Sequence, residues 1–163
     1  MKGIDTPIES MVTRFTSNLW TGKDRTFRGR IFRNVKDEGT FPEWYNATTE
    51  RYEDVLLDKF VDATCFFDVQ PSETYSGYFI SEVWICFSVN LKTLYPTVSG
   101  RQSTEYAHKE IIDLIERDGR FKITGLVRGL PAFADYTLVK ESDNMNNFYL
   151  FRINTEVRYP INC

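Results

Sequence analysis

The chain has a single histidine, His108, and that scarcity narrows the chemistry at once. His108 has no partner imidazole to share a zinc ion, and nothing marks a serine as a nucleophile beside it. Neither a zinc site nor a Ser-His-Asp set can be drawn from the sequence. Cysteine is scarce too. Cys65, Cys86 and Cys163 are odd in number and show no paired spacing, so they build no disulfide framework. Cys65 and Cys86 fall in strand-like alternation and read as small buried hydrophobes. Gly-x-Gly-x-x-Gly and the P-loop are both missing. No apolar run reaches the ~18 residues of a membrane span, and the N-terminus lacks the apolar core of a secretory signal. Synthesis in a reducing, intracellular setting is therefore expected, and the sequon Asn46-Ala47-Thr48 reads as a chance match. There is no internal repeat, low-complexity stretch or interdomain linker. No catalytic residue, metal or cofactor is expected.

What the chain does have is aromatic mass. Its 163 residues suit one domain, 1–163, large enough for a real core. At 15% aromatic it carries more rings than a core of that size needs, so some should serve contact surfaces. The net charge of -3 argues against a general nucleic-acid binder. That charge is uneven, because residues 23–36 hold Lys23, Arg25, Arg28, Arg30, Arg33 and Lys36 against Asp24 alone. This reads as a basic strand or extended arm. Its plainer role is a solvated edge whose charges discourage sheet-to-sheet pairing. Its sharper role is contact with an acidic partner or a phosphate backbone.

Residues 79–91 organise the rest. Phe79, Val83, Ile85, Phe87, Val89 and Leu91 alternate with Ile80, Glu82, Trp84, Cys86, Ser88 and Asn90. That period of two predicts a long strand with one buried face and one face that is partly wet or meets a partner. Val61, Ala63, Cys65, Phe67 and Val69 predict a second strand, joined to the first through a long tip at 70–78 as an antiparallel hairpin. Residues 149–159 alternate again and predict a third, with 132–140 as its neighbour. Two helices flank these strands. Thr6-Pro7-Ile8-Glu9 has capping-box spacing before Ile8, Met11, Val12, Phe15 and Leu19. Ser103 or Thr104 caps a second helix with Ala107, Ile111, Leu114 and Ile115 as its stripe. Asp37 to Thr40 is a turn before the short aromatic piece 41–45. Residues 46–58 are polar and ambiguous between a loop and a brief helix. A loop is expected at 95–102 and a polar turn at 142–147.

Two routes to chemistry stay open. Asp62, Asp68 and Glu82 could assemble a divalent-metal nuclease site across the hairpin, although outward acids that keep a sheet face soluble are the commoner arrangement. Phe27 and Phe32 within the basic stretch could form a groove for single-stranded nucleic acid.

The order of elements resembles the tail terminator or tail-completion proteins of tailed bacteriophages, small ring-forming proteins of the head–tail junction. The shared features are the amphipathic opening helix, Phe41-Pro42 before a short strand, and the strand 79–91 feeding the helix 104–116. A Gly/Pro-broken connection and a terminal pair ending in 148–159 complete the pattern, which covers most of the chain outside 46–60. The resemblance implies an α+β fold, an antiparallel sheet with the N-terminal helix and a second helix packed on one face. It also implies a virion protein of six or twelve copies, ringed around a channel for genomic DNA. Its neighbours would be a portal, adaptor or stopper ring and the tail proteins. Arg25, Arg28, Arg30 and Arg33 would then face an acidic protein partner, and Trp44, Tyr45, Tyr75, Tyr78 and Trp84 would serve subunit contacts. The alternative readings are a phage-encoded nucleic-acid-binding protein and a metal-dependent nuclease.

Overall fold

The computed structural model describes residues 3–56, 61–137 and 148–160. In chain order these form α1 (Asp5–Asn18), β1 (Arg25–Arg30), β2 (Phe32–Lys36), β3 (Gly39–Asn46) and β4 (Arg51–Asp54). There follow β5 (Ala63–Tyr75), β6 (Phe79–Val89), the single turn α2 (Leu91–Leu94), α3 (Gly100–Glu116), β7 (Phe121–Arg128), a 3-10 turn at Leu130–Phe133 and β8 (Tyr149–Tyr159). The fold is α+β. Five strands make one sheet in the order β1-β5-β6-β8-β7, and β2-β3-β4 make a second.

The central alternation behaves as its sequence predicts. Val83, Ile85, Phe87 and Val89 of β6 point to one face, beside Cys65 and Phe67 of β5 and Phe151, Ile153 and Val157 of β8. Ile8, Met11, Phe15 and Leu19 from the first helix and Ala107, Ile111, Leu114 and Ile115 from α3 cover that face. Phe87 sits at its centre, stacked on Phe151 at 5.0 Å and meeting Phe15 at 5.8 Å. Each such ring removed from water stabilises the fold by about 1.5–3 kcal/mol. Both helices thus lie on one side of the sheet.

The opposite face was expected to be wet or to meet a partner. Its partner is the chain itself. Phe66, Cys86 and Leu150 form a second core with Ile31, Val55, Ala132, Phe133 and Tyr136. The reason is the direction of β1. It runs parallel to β5, with Phe27 opposite Cys65, while the other sheet neighbours are antiparallel. Parallel neighbours need a long crossover, usually a helix. Here the crossover is the small sheet β2-β3-β4, which folds back over the second face.

Several boundaries differ from expectation, each for a local reason. The basic stretch is two strands in two sheets, broken at Ile31, whose N–H donates to the Phe67 carbonyl at 2.8 Å. The ambiguous segment 46–58 contains β4, paired antiparallel to β3 with Tyr45 opposite Tyr52. Most of the expected tip at 70–78 is strand, and Pro71 lies where the β5–β6 register shifts, between Val69 and Glu73. A residue without an N–H is accommodated at such an irregularity. The start of 132–140 falls in the 3-10 turn rather than a strand, and β7, expected as a connection, is the true neighbour of β8. Gly125 there sits in a register shift of the β7–β8 pair. The first helix starts at Asp5 with Ile4 as its N-cap and no side-chain cap. The second starts at Gly100 with Ser99 as N-cap, and the hydroxyls of Ser103 and Thr104 bond back to the Gly100 carbonyl. Residues 138–140, the turn at 142–147, Lys59 and Cys163 lie outside the described residues.

Candidate interaction surface

The basic stretch supplies its own acidic partners. Arg28 reaches Glu53 at 3.5 Å and stacks over the Trp44 ring at 4.2 Å. Arg30 lies 3.9 Å from Asp5, and Lys36 lies 4.0 Å from Glu43. Arg25 donates to the Leu19 carbonyl and covers Phe27. Arg33 engages Asp68 at 2.8 Å and Asp135 at 3.4 Å. Reversing Arg28, Arg30 and Arg33 to Glu would therefore break ties within the chain, Arg28 and Arg33 to the small sheet and its seat and Arg30 to the first helix. It would not cleanly test an outside partner.

Arg33 ends on the most deeply placed polar cluster of the second core. Asp68 is 3% exposed, and its Oδ2 accepts from Arg33 Nε at 2.9 Å and from the Tyr136 hydroxyl. Burial, the neighbouring Cys86 and the Asp68 carboxylate push the Tyr136 pKa upward, so Tyr136 stays a donor. Burial and the Asp68 charge likewise push the Cys86 thiol up, which leaves it an inert packing group. The acids that suggested a nuclease are not brought together. Asp62 precedes β5 and accepts from the Asp24 N–H at 3.3 Å. It is six residues from Asp68, roughly 20 Å along an extended chain. Glu82 accepts from the Trp84 indole at 2.9 Å. Among the described residues no three His, Cys, Asp or Glu side chains are set to hold a metal ion.

The predicted contact aromatics divide into two groups. Trp44 and Trp84 turn inward onto the second core, and Trp84 lies under Arg152 at 3.6 Å. Tyr78 is half-buried beneath Arg158. Tyr45 and Tyr75 are exposed. Tyr75 stands at the end of the β5–β6 hairpin against Phe79. Tyr45 belongs to a cluster on the outward face of the small sheet, with its ring 5.1 Å from Tyr52, which is 6.1 Å from Phe32. Tyr52 was not singled out from the sequence, and Phe32 was named there only for a nucleic-acid groove. Phe32 is out of step with Phe27, Ile31 and Val35, and that break was the available signal. Tyr52 gave none, because four residues of strand are too short to show a period.

His108 is buried, 5% exposed, and bonded to the Tyr149 hydroxyl at 2.9 Å. Burial, aided by the Arg128 charge and opposed by Glu105, lowers its pKa to about 4. The folded protein therefore holds the imidazole neutral, while the unfolded chain protonates it near 6.5. Stability should fall as pH drops from about 6.5 to about 4, by about 2 kcal/mol once screening around exposed Arg128 is allowed for. Urea midpoints across that range check this, and His108→Gln should flatten the slope. A cleft of about 480 Å³ opens beside this pair, lined by Leu91, Lys92, Val98, Gly100, Ser103 and Tyr149 among others. The Ser103 hydroxyl there donates to the Gly100 carbonyl at 2.8 Å.

Among the described residues no helix is long and apolar enough to cross a membrane. No sequence profile of a known protein family matches the chain, and no curated protein matches it either.

Proposed function

We propose that the chain is a structural virion protein that assembles into an oligomeric ring at a phage head–tail junction. In this reading it is a tail terminator or tail-completion ring that joins neck and tail around a DNA channel. The element order of the sequence supports this reading, and so does the α+β body with both long helices on one face of the sheet.

The observation that carries it is the placement of exposed apolar side chains. Among the described residues, three of the seven large ones, Phe32, Tyr45 and Tyr52, share the outward face of the small three-stranded sheet. Such a concentration marks a contact surface rather than a pocket. The cations of the basic stretch and one acid of the nuclease reading are engaged within the chain. The arginines of the basic stretch face Glu53, Asp5 and Asp68 of the same chain, and Asp68 is held by Arg33 and Tyr136.

Particle images and native mass of the purified protein test the proposal. Rings with a countable subunit number are the expected result. Salt-dependent retardation of DNA by a monomer, or magnesium-dependent cutting of DNA, would overturn it.

A further inference from the structure

The sequence holds a single Asp-Gly pair, Asp118-Gly119, and no Asn-Gly pair. Asp-Gly is the aspartyl dipeptide most prone to rearrange without an enzyme. The glycine's backbone nitrogen attacks the aspartate's Cγ. A bond forms between the two, and the amide proton leaves with a carboxyl hydroxyl as water. The resulting succinimide then takes up water. Opening at the former backbone carbonyl leaves an isoaspartate, in which the chain runs through Cγ and the old backbone carbonyl is a free carboxylate. A glycine places no Cβ in the way of this attack. Gly119 is exposed, and beyond its chain neighbours no atom stands within 4 Å of where a Cβ would be. By sequence alone this bond is labile.

The fold sets Arg120 against that chemistry. Asp118 and Gly119 lie in the turn from α3 to β7, and Asp118 is 7% exposed. One of its carboxylate oxygens accepts from the Arg120 backbone N–H and from Arg120 Nε, both at 3.0 Å. The other accepts from Arg120 Nη2 at 2.7 Å. The backbone bond is an Asx turn, and the other two are the two-point grip of a guanidinium on a carboxylate. Arg120 is itself anchored, because its carbonyl accepts from the Arg158 N–H of β8 at 2.9 Å. Both side-chain torsions of Asp118 are thereby held. The carboxyl lacks the freedom by which a mobile Asp-Gly pair samples the attacking geometry. Its charge protects it as well, since only the neutral acid releases its oxygen readily as water. The hydrogen bonds from Arg120, aided by the Arg14 charge and opposed by burial, keep the Asp118 pKa below its ordinary value.

We propose that Asp118-Gly119 is a self-modification site held closed by Arg120, a positioning residue whose grip keeps the folded chain from forming isoaspartate. Loss of the grip would not stay local. The Asp118 N–H donates to the Ile115 carbonyl at 3.0 Å, and the Asp118 carbonyl accepts from the Phe121 N–H at 3.1 Å. An isoaspartate lengthens the backbone by one methylene between these two bonds and moves the carbonyl that Phe121 uses. Phe121 is the first residue of β7, lies opposite Val157 and is buried in the first core. The modification therefore loosens the start of the β7–β8 pairing. The protection belongs to the folded single chain, so it holds whether or not the chain forms rings.

Peptide mapping with isoaspartate detection tests this on the full chain, kept at neutral pH and physiological temperature. Folded wild type should retain aspartate at 118, and the same chain in urea should convert several-fold faster. Arg120→Ala, shown to be folded by near-UV circular dichroism, should convert in the folded state at a rate approaching that of the wild type in urea. Arg120→Lys keeps a charge and loses the fork. It should convert faster than folded wild type, and it carries the comparison if Arg120→Ala does not fold. Adding Gly119→Ala to Arg120→Ala should slow the conversion again, because the methyl has room there and obstructs the attack. Folded arginine variants that stay as unmodified as the wild type would overturn the protective role. A wild type that converts as fast when folded as in urea would overturn it too.

Discussion

Asp68→Ala should destabilise the protein by about 3 kcal/mol, read from urea or guanidinium midpoints. One oxygen of Asp68 accepts from Arg33 Nε at 2.9 Å, from Arg33 Nη2 at 2.8 Å and from the Tyr136 hydroxyl. Removing it strands two kinds of donor with different outcomes. Arg33 has a third of its side chain exposed and can rehydrate. Tyr136 is buried against Phe66 and Phe133 and cannot. An unsatisfied buried hydroxyl costs about 1–3 kcal/mol. The remainder comes from the lost tie between the small sheet and the body. Tyr136→Phe should cost less, about 1 kcal/mol, because it removes a donor and leaves Asp68 its arginine. Combined with Asp68→Ala it should add little, since the two act as one unit. An Asp68→Ala loss below 1 kcal/mol would mean that water, not the carboxylate, holds this cluster together.

Gly39→Ala should cost a similar amount, about 3 kcal/mol, through backbone geometry rather than charge. Gly39 adopts φ 145 at the start of β3. A Cβ there would overlap Thr137, coming within 2.6 Å of its Cβ and nearer still to its hydroxyl. Thr137 cannot step aside freely. Its hydroxyl accepts from the Thr40 N–H at 3.0 Å, and its own N–H donates to the Thr40 carbonyl at 2.8 Å. The substitution therefore adds backbone strain and threatens two hydrogen bonds, each of net worth about 1 kcal/mol. Gly39→Ala paired with Thr137→Gly should recover part of the loss by making room for the methyl. Full cost in the double variant would show that the conformation of residue 39, and not the overlap, is the cause.

The readable parts of the sequence were those where one period held for several residues. β6 and β8 alternate over 11 residues each, and Met11, Phe15, Ile111 and Ile115 recur at helical spacing, so the main sheet and its helical face were plain. The parallel placement of β1 was not, because no local pattern encodes which neighbour a strand takes. The second core was hidden for a related reason. Cys86, Trp84 and Asp68 on the even face look half-polar in sequence, and only the returning small sheet with its Arg33–Asp68 tie makes that face interior. Phe121, Ile123 and Leu126 read as leading into a connection over 125–129 because Gly125 breaks the alternation, and that glycine marks a register shift within a strand. Tyr45 is exposed on the small sheet, and the arginines of the basic stretch have acids of the same chain beside them. A run of cations shows charge, and only folding shows which acids of the same chain answer it.

The sheet order has a consequence for biogenesis. β8 is made after β6 and β7, yet it lies between them. While the chain is being translated, β6 and β7 have each lost a neighbour that does not yet exist, and the middle of the sheet stays open until residues 149–159 leave the ribosome. The long β5–β6 hairpin must wait in that state with one edge bare. Folding of the sheet is thereby tied to the synthesis of β8, and a nascent chain halted before Tyr149 would display an adhesive strand along the edge of β6 that β8 otherwise covers.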